Sequence, residues 1–144
     1  MNQSLKDWID LFAKVVAATG VFIAALNYRQ QTRTKRAEWL KALFEKFYEK
    51  EEFKEVRRWI ESGEINNKIN LDATVSEEEE KVADYLNFFE FIATLEVDKQ
   101  LKLADVKNLF EYYLNKIKHS EKCMTWVHNY DYGFEKLRNL LDKI

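Results

Sequence analysis

Not one of the 144 residues is proline, and glycine occurs only at Gly20, Gly63 and Gly133. Proline and glycine stop helices and build tight hairpin turns, so a chain with almost none leaves long helices uninterrupted and gives strands little to turn on. Leu, Lys and Glu, all good helix formers, abound together with Phe. The expected fold class is all-α. Apolar residues make up 47% of the chain and aromatic ones 15%, enough to bury a core within one domain.

The first helix poses a separate question. Residues Val15 to Leu26 carry no charge, and Arg29, Arg33, Lys35 and Arg36 follow within ten positions. A bilayer core about 30 Å thick needs about 20 helical residues, so the uncharged run alone is too short. Trp8 and Tyr28, however, bracket the segment 20 residues apart, which is the spacing of interfacial aromatic anchors. Asp10 and Lys14 fall inside that bracket one helical turn apart, where they can pair while Lys14 snorkels to the nearer interface. The expectation is an N-terminal tail and transmembrane helix over residues 1–28 and a cytoplasmic helical domain over residues 29–144. The cations on the C-terminal side place the N-terminus outside a bacterial inner membrane. The competing readings are a buried core helix, or a signal or purely interfacial helix; a signal peptide would carry its basic residues before the apolar run.

On a helical wheel, Ala13, Ala17, Gly20 and Ala24 gather on one side, and Leu11, Phe12, Val15, Phe22, Ile23 and Leu26 roughly opposite. Small residues let helix backbones approach in lipid, so this face predicts self-association. A third strip, Lys14, Ala18, Val21 and Ala25, would line a pore in a ring of such helices. Charge divides along the chain as well. Residues 1–50 hold nine Lys/Arg against five Asp/Glu, and residues 51–144 hold fourteen against twenty. The basic part suits anionic lipid, and the acidic remainder makes nucleic acid an improbable partner.

Beyond Arg29 the helix is expected to continue into an amphipathic face of Trp39, Leu40, Leu43, Phe44 and Phe47. A bend near residues 50–52 precedes a helix with Phe53, Val56, Trp59 and Ile60 on its apolar side, closed by Gly63. Residues 64–75 read as the least ordered linker. Ser76 and Glu79 form a capping box that opens the central helix, with Glu77 to Glu80 in its first turn. Within that helix Glu90 is a candidate buried acid, expected to pair with Arg57, Arg58 or a lysine. A further helix carries Leu103 to Ile117, and one or two more surround Gly133, for about five in the cytoplasmic bundle.

No phosphate loop, zincin motif or nucleophile elbow occurs, and neither His119 nor His128 follows an arginine at the four-to-six-residue spacing of HEPN ribonucleases. With Tyr112, Tyr113 and Tyr130 nearby, the two histidines could still form a polar patch, though surface histidines beside lysines are commonplace and catalysis is the lesser reading. Cys123 is the lone cysteine, which leaves no disulfide framework and suits a reducing compartment. No enzyme activity, metal or cofactor is expected.

The segments RAEWLKALFEKFYEKEEFKEVRRWI (36–60), LNFFEFIATL (86–95) and YDYGFEKL (130–137), behind a span that runs into basic residues, resemble an uncharacterised bacterial family of small proteins. Its members have one N-terminal span and a helical cytoplasmic domain. The layout is also similar to the accessory membrane pore protein of type VI-B CRISPR systems, whose HEPN-like Arg/His motif is absent here. The resemblance implies an oligomeric single-span membrane effector or adaptor, pore-forming in antiphage defence, with the lipid bilayer, further copies of itself and a cytoplasmic protein as partners. The alternative is a soluble or peripheral helical scaffold whose first helix is buried in an oligomer.

Overall fold

Helix α1 runs unbroken from Gln3 to Glu49, through the basic stretch and into the first apolar face. The computed structural model describes the backbone of residues 3–70 and 76–144, and side chains from residue 22 onward. The chain divides into two units, Met1–Trp39 and Leu40–Ile144. The chemical boundary read from the sequence falls after Tyr28, eleven residues before this structural one.

Within the second unit, α1 ends where Lys50 adopts an extended backbone (φ −66°, ψ 120°) and turns the chain into α2, Glu51–Ser62. Gly63 closes α2 in the left-handed region at φ 79°, a conformation that a side chain would strain. Helix α3, Ile65–Lys68, then interrupts the expected linker. Ile65 and Ile69 are buried one turn apart, and the Asn66 side chain accepts hydrogen bonds from Ser120 Oγ at 2.8 Å and Lys122 N at 3.2 Å. These contacts with residues some 55 positions away order a segment whose local composition favours a loop. Residues 71–75 of the same linker lie outside the described residues.

Helix α4, Glu77–Val97, begins at the capping box, with Glu79 N–H donating to Ser76 Oγ and the Glu79 carboxylate accepting from Ser76 N at 2.8 Å. Glu79 is thereby buried, while Glu77 and Glu80 of the same run stay exposed. Helices α5 (Leu103–Lys118), α6 (Glu121–His128) and α7 (Glu135–Leu141) follow, with a short 3-10 turn before Gly133. All elements among the described residues are helical. Helix α4 is central: it packs against α7, α2 and α5 and buries nine side chains.

An aromatic cluster fills the core. Phe47, from the last turn of α1, lies within 5.0–6.5 Å of the rings of Tyr48, Phe53, Tyr85, Phe88, Phe89, Phe110 and Tyr113. Most of these pairs are edge-on or tilted, the arrangement that ring quadrupoles favour. Within this cluster the Tyr85 hydroxyl is buried, and no protein group among the described residues hydrogen-bonds it. Burial pushes its pKa well above the usual tyrosine value. Tyr85→Phe removes that polar atom and leaves the ring, so thermal stability should hold or rise by about 1 kcal/mol. A loss of that size in the melting experiment would mean that the hydroxyl has a partner.

Candidate functional site

The residues singled out in α1 fall into two groups. Trp8, Ala13, Lys14, Ala17, Ala18, Gly20 and Val21 lie outside the residues whose side chains are described. Ala24 and Ala25 are exposed, as are Tyr28, Arg29, Arg33 and Lys35, while Arg36 is half-buried. The apolar residues just before them are uncovered too: Phe22 is 64% exposed, Ile23 52% and Leu26 49%. Covering the half or so of each side chain that is exposed would be worth about 1–1.5 kcal/mol apiece. Thr32 and Thr34 turn their hydroxyls back onto the helix, donating to Tyr28 O and Gln30 O one turn earlier. Among the described residues, no helix is long and apolar enough to cross a membrane. Most of the expected span, residues 8–28, carries side chains outside that set.

Glu90 is half-buried, but its partner is neither arginine nor lysine side chain. Its carboxylate accepts hydrogen bonds from Leu137 N at 2.6 Å and Lys136 N at 3.2 Å, the amides of the first turn of α7. The expectation of an ion pair is therefore corrected. Helix α7 has no side-chain cap of its own at Phe134, and the unpaired amides of a helix start attract an anion as a cation would. Glu90→Ala should cost about 1–2 kcal/mol in denaturant unfolding and loosen α7 first, which amide hydrogen exchange would show. Uniform exchange across the bundle would contradict this role.

Arg57, the expected partner, faces the other way. It is 7% exposed and donates from Nη1 to Phe47 O and from Nη2 to Tyr48 O at 3.3 Å, with its guanidinium 4.9 Å from both the Phe47 and Tyr48 rings. It satisfies the carbonyl end of α1. Half-buried Glu90 and buried Arg57 thus each satisfy backbone groups at a helix end.

His119 Nδ1 lies 2.7 Å from Asn115 O and His128 Nδ1 lies 2.8 Å from Met124 O. A carbonyl only accepts, so Nδ1 carries the proton and Nε2 is the open nitrogen of each ring. The two histidines border one shallow surface hollow with Glu121 and Thr125. Among the described residues, no group of three or more His, Cys, Asp or Glu is placed to hold a metal ion. Burial pushes the Cys123 thiol up to about 11, which leaves it protonated and a poor nucleophile at neutral pH. A second hollow, lined by Leu40, Lys41, Phe44, Asp105, Asn108 and Leu109, runs between the end of α1 and α5 beside the exposed rings of Phe44 and Tyr48.

No curated protein and no solved structure matches the chain. Residues 14–101 match a family described as a domain of unknown function, DUF4760. The matched stretch takes in most of α1 with its basic segment, the α1–α2 bend, Phe47, Arg57 and the whole of α4. That description supports an uncharacterised family and carries no statement about membranes, pores or defence systems. Because the match covers more than half of the sequence, the chain belongs to the DUF4760 family.

Proposed function

We infer that this is a non-enzymatic, membrane-anchored adaptor in which the N-terminal part of α1 enters the bilayer and the helical unit Leu40–Ile144 meets a cytoplasmic partner. The observation that carries this reading is the exposure of Phe22, Ile23 and Leu26 immediately before Tyr28 and the cations of residues 29–36. Large apolar side chains left uncovered by their own chain need lipid or another protein, and the aromatic and cationic residues that follow are the chemistry of a cytoplasmic membrane interface. Self-association through Ala13, Ala17, Gly20 and Ala24 is part of the proposal.

Fractionation tests it. Membranes from cells expressing the full chain should retain the protein through high-salt and alkaline carbonate washes and release it in detergent. Recovery in the wash would favour the second reading, a scaffold whose first helix packs against other chains; the lack of a long, apolar enough helix among the described residues leans that way. Gly20→Ile with Ala24→Ile should reduce the particle size of the solubilised protein. An unchanged size would exclude the small face as the contact.

A further inference from the structure

We propose that Arg29 and Arg33, with Lys35 adding charge from the opposite side of the helix, form a binding site for the phosphate groups of anionic phospholipids, a proposal that rests on α1 entering the bilayer. These side chains are exposed and make no ion pair among the described residues. No Asp or Glu occurs from residue 11 to residue 37, so Arg29 and Arg33 have no acid three or four positions away on the helix, whereas Lys35 has Glu38 three positions on. Some cations of the second unit pair with acids instead: Lys50 with Asp84 at 3.2 Å, Lys81 with Glu55 at 2.8 Å and Glu77 at 2.9 Å, and Lys143 with Glu96 at 2.7 Å.

Geometry favours phosphate. Leu26, Arg29, Gln30 and Arg33 share one face and border one shallow hollow on α1. Arg29 and Arg33 stand four positions apart, where like charges repel within a helix unless an anion lies between them. Two guanidinium forks and an amide at that spacing offer several donors to a single phosphate, and arginine binds phosphate in bidentate fashion.

Depth favours a lipid source. At about 1.5 Å rise per residue, Arg29 lies about 4.5 Å and Lys35 about 13 Å beyond Leu26 along the axis. The headgroup layer is about 5–8 Å thick on each face, within reach of these long side chains when Leu26 sits at the hydrocarbon edge. A nucleic acid backbone is disfavoured, because it would leave Phe22, Ile23 and Leu26 uncovered and would meet an acidic remainder of fourteen cations against twenty acids over residues 51–144.

The test uses the full chain diluted from detergent and offered equal amounts of neutral phosphatidylcholine vesicles and vesicles containing about a third phosphatidylglycerol, then separated by flotation. The wild type should favour the anionic vesicles at least tenfold at low salt and lose that preference in high salt. Each neutralised cation should weaken the anionic preference about fivefold, so Arg29→Gln/Arg33→Gln/Lys35→Gln should abolish it, whereas Arg29→Lys/Arg33→Lys should keep most of it. Circular dichroism of the glutamine variant should show unchanged helix.

Equal distribution of the wild type, or a preference that survives the glutamine substitutions, would overturn the proposal. Tighter binding to a single-stranded oligonucleotide than to anionic vesicles, lost in the glutamine variant, would overturn it in favour of nucleic acid. Carbonate resistance on neutral vesicles reads the span alone: if it fails while the anionic preference stays, the membrane helix is wrong and the phosphate site stands at the bilayer surface.

Discussion

Replacing Phe47 by alanine is expected to destabilise the unit Leu40–Ile144 by about 3–5 kcal/mol, the usual cost of emptying a phenylalanine site in a close-packed core. Phe47 is fully buried and touches aromatic rings from α1, α2, α4 and α5. A neighbour that moved into its place would have to give up its own contacts with the other rings. Urea unfolding followed by tryptophan fluorescence measures the loss, with Trp59 and Trp126 as reporters inside the unit. Phe44→Ala, one turn earlier on the same helix and 44% exposed, provides the comparison and should cost less than about 1.5 kcal/mol. Equal losses at the two positions would mean that the cluster does not hold α1 to the bundle.

The second large effect is expected at Arg57. Lys50 N–H reaches back to Lys46 O at 3.3 Å, and the next two carbonyls of α1, Phe47 O and Tyr48 O, receive their donors from the Arg57 guanidinium. Arg57→Leu fills much of the same space but leaves both carbonyls without those donors, which should cost about 2–4 kcal/mol. Arg57→Lys keeps the charge, yet one ammonium on a flexible stem cannot serve as a planar fork between two rings, so about half of that loss should remain. Equilibrium unfolding of the two variants checks the order. A lysine variant as stable as the wild type would show that charge alone suffices, and a leucine variant as stable would remove the capping role.

Several elements were legible because their signals are local. The stop at Gly63, the capping box of Ser76 and Glu79, and the single-face pattern of α5 each depend on residues within a turn or two of one another. Arg57 was legible in part. It sits at a core-facing step of α2, between Phe53, Val56 and Ile60, where a cation must find acceptors if the helix packs. Which acceptors was not readable, since Phe47 O and Tyr48 O come together with it only after the chain turns at Lys50.

Other features carried no local signal. The apolar face of α1 reads as one stripe, yet the bundle buries Leu43 and Phe47, half-buries Leu40, and leaves Trp39 and Phe44 more than 40% exposed. Periodicity reports which residues share a face, while the width that neighbouring helices cover depends on how they are packed. Phe91 likewise belongs to the aromatic run of α4 but is 45% exposed. The order in α3 comes from Ser120 and Lys122, and the partner of Glu90 comes from α7.

By itself, then, the amino-acid order determined that the chain is helical, where helices such as α2 and α4 stop or start, and where uncharged residues give way to cations. Those are matters of backbone restriction, end-capping and charge along a short stretch. Tertiary structure decided which buried charges meet which helix ends and which aromatic rings close the core. Many of those pairings join residues tens of positions apart, such as Glu90 with Leu137 and Phe47 with Phe110, and only packing brings them within hydrogen-bond or van der Waals reach.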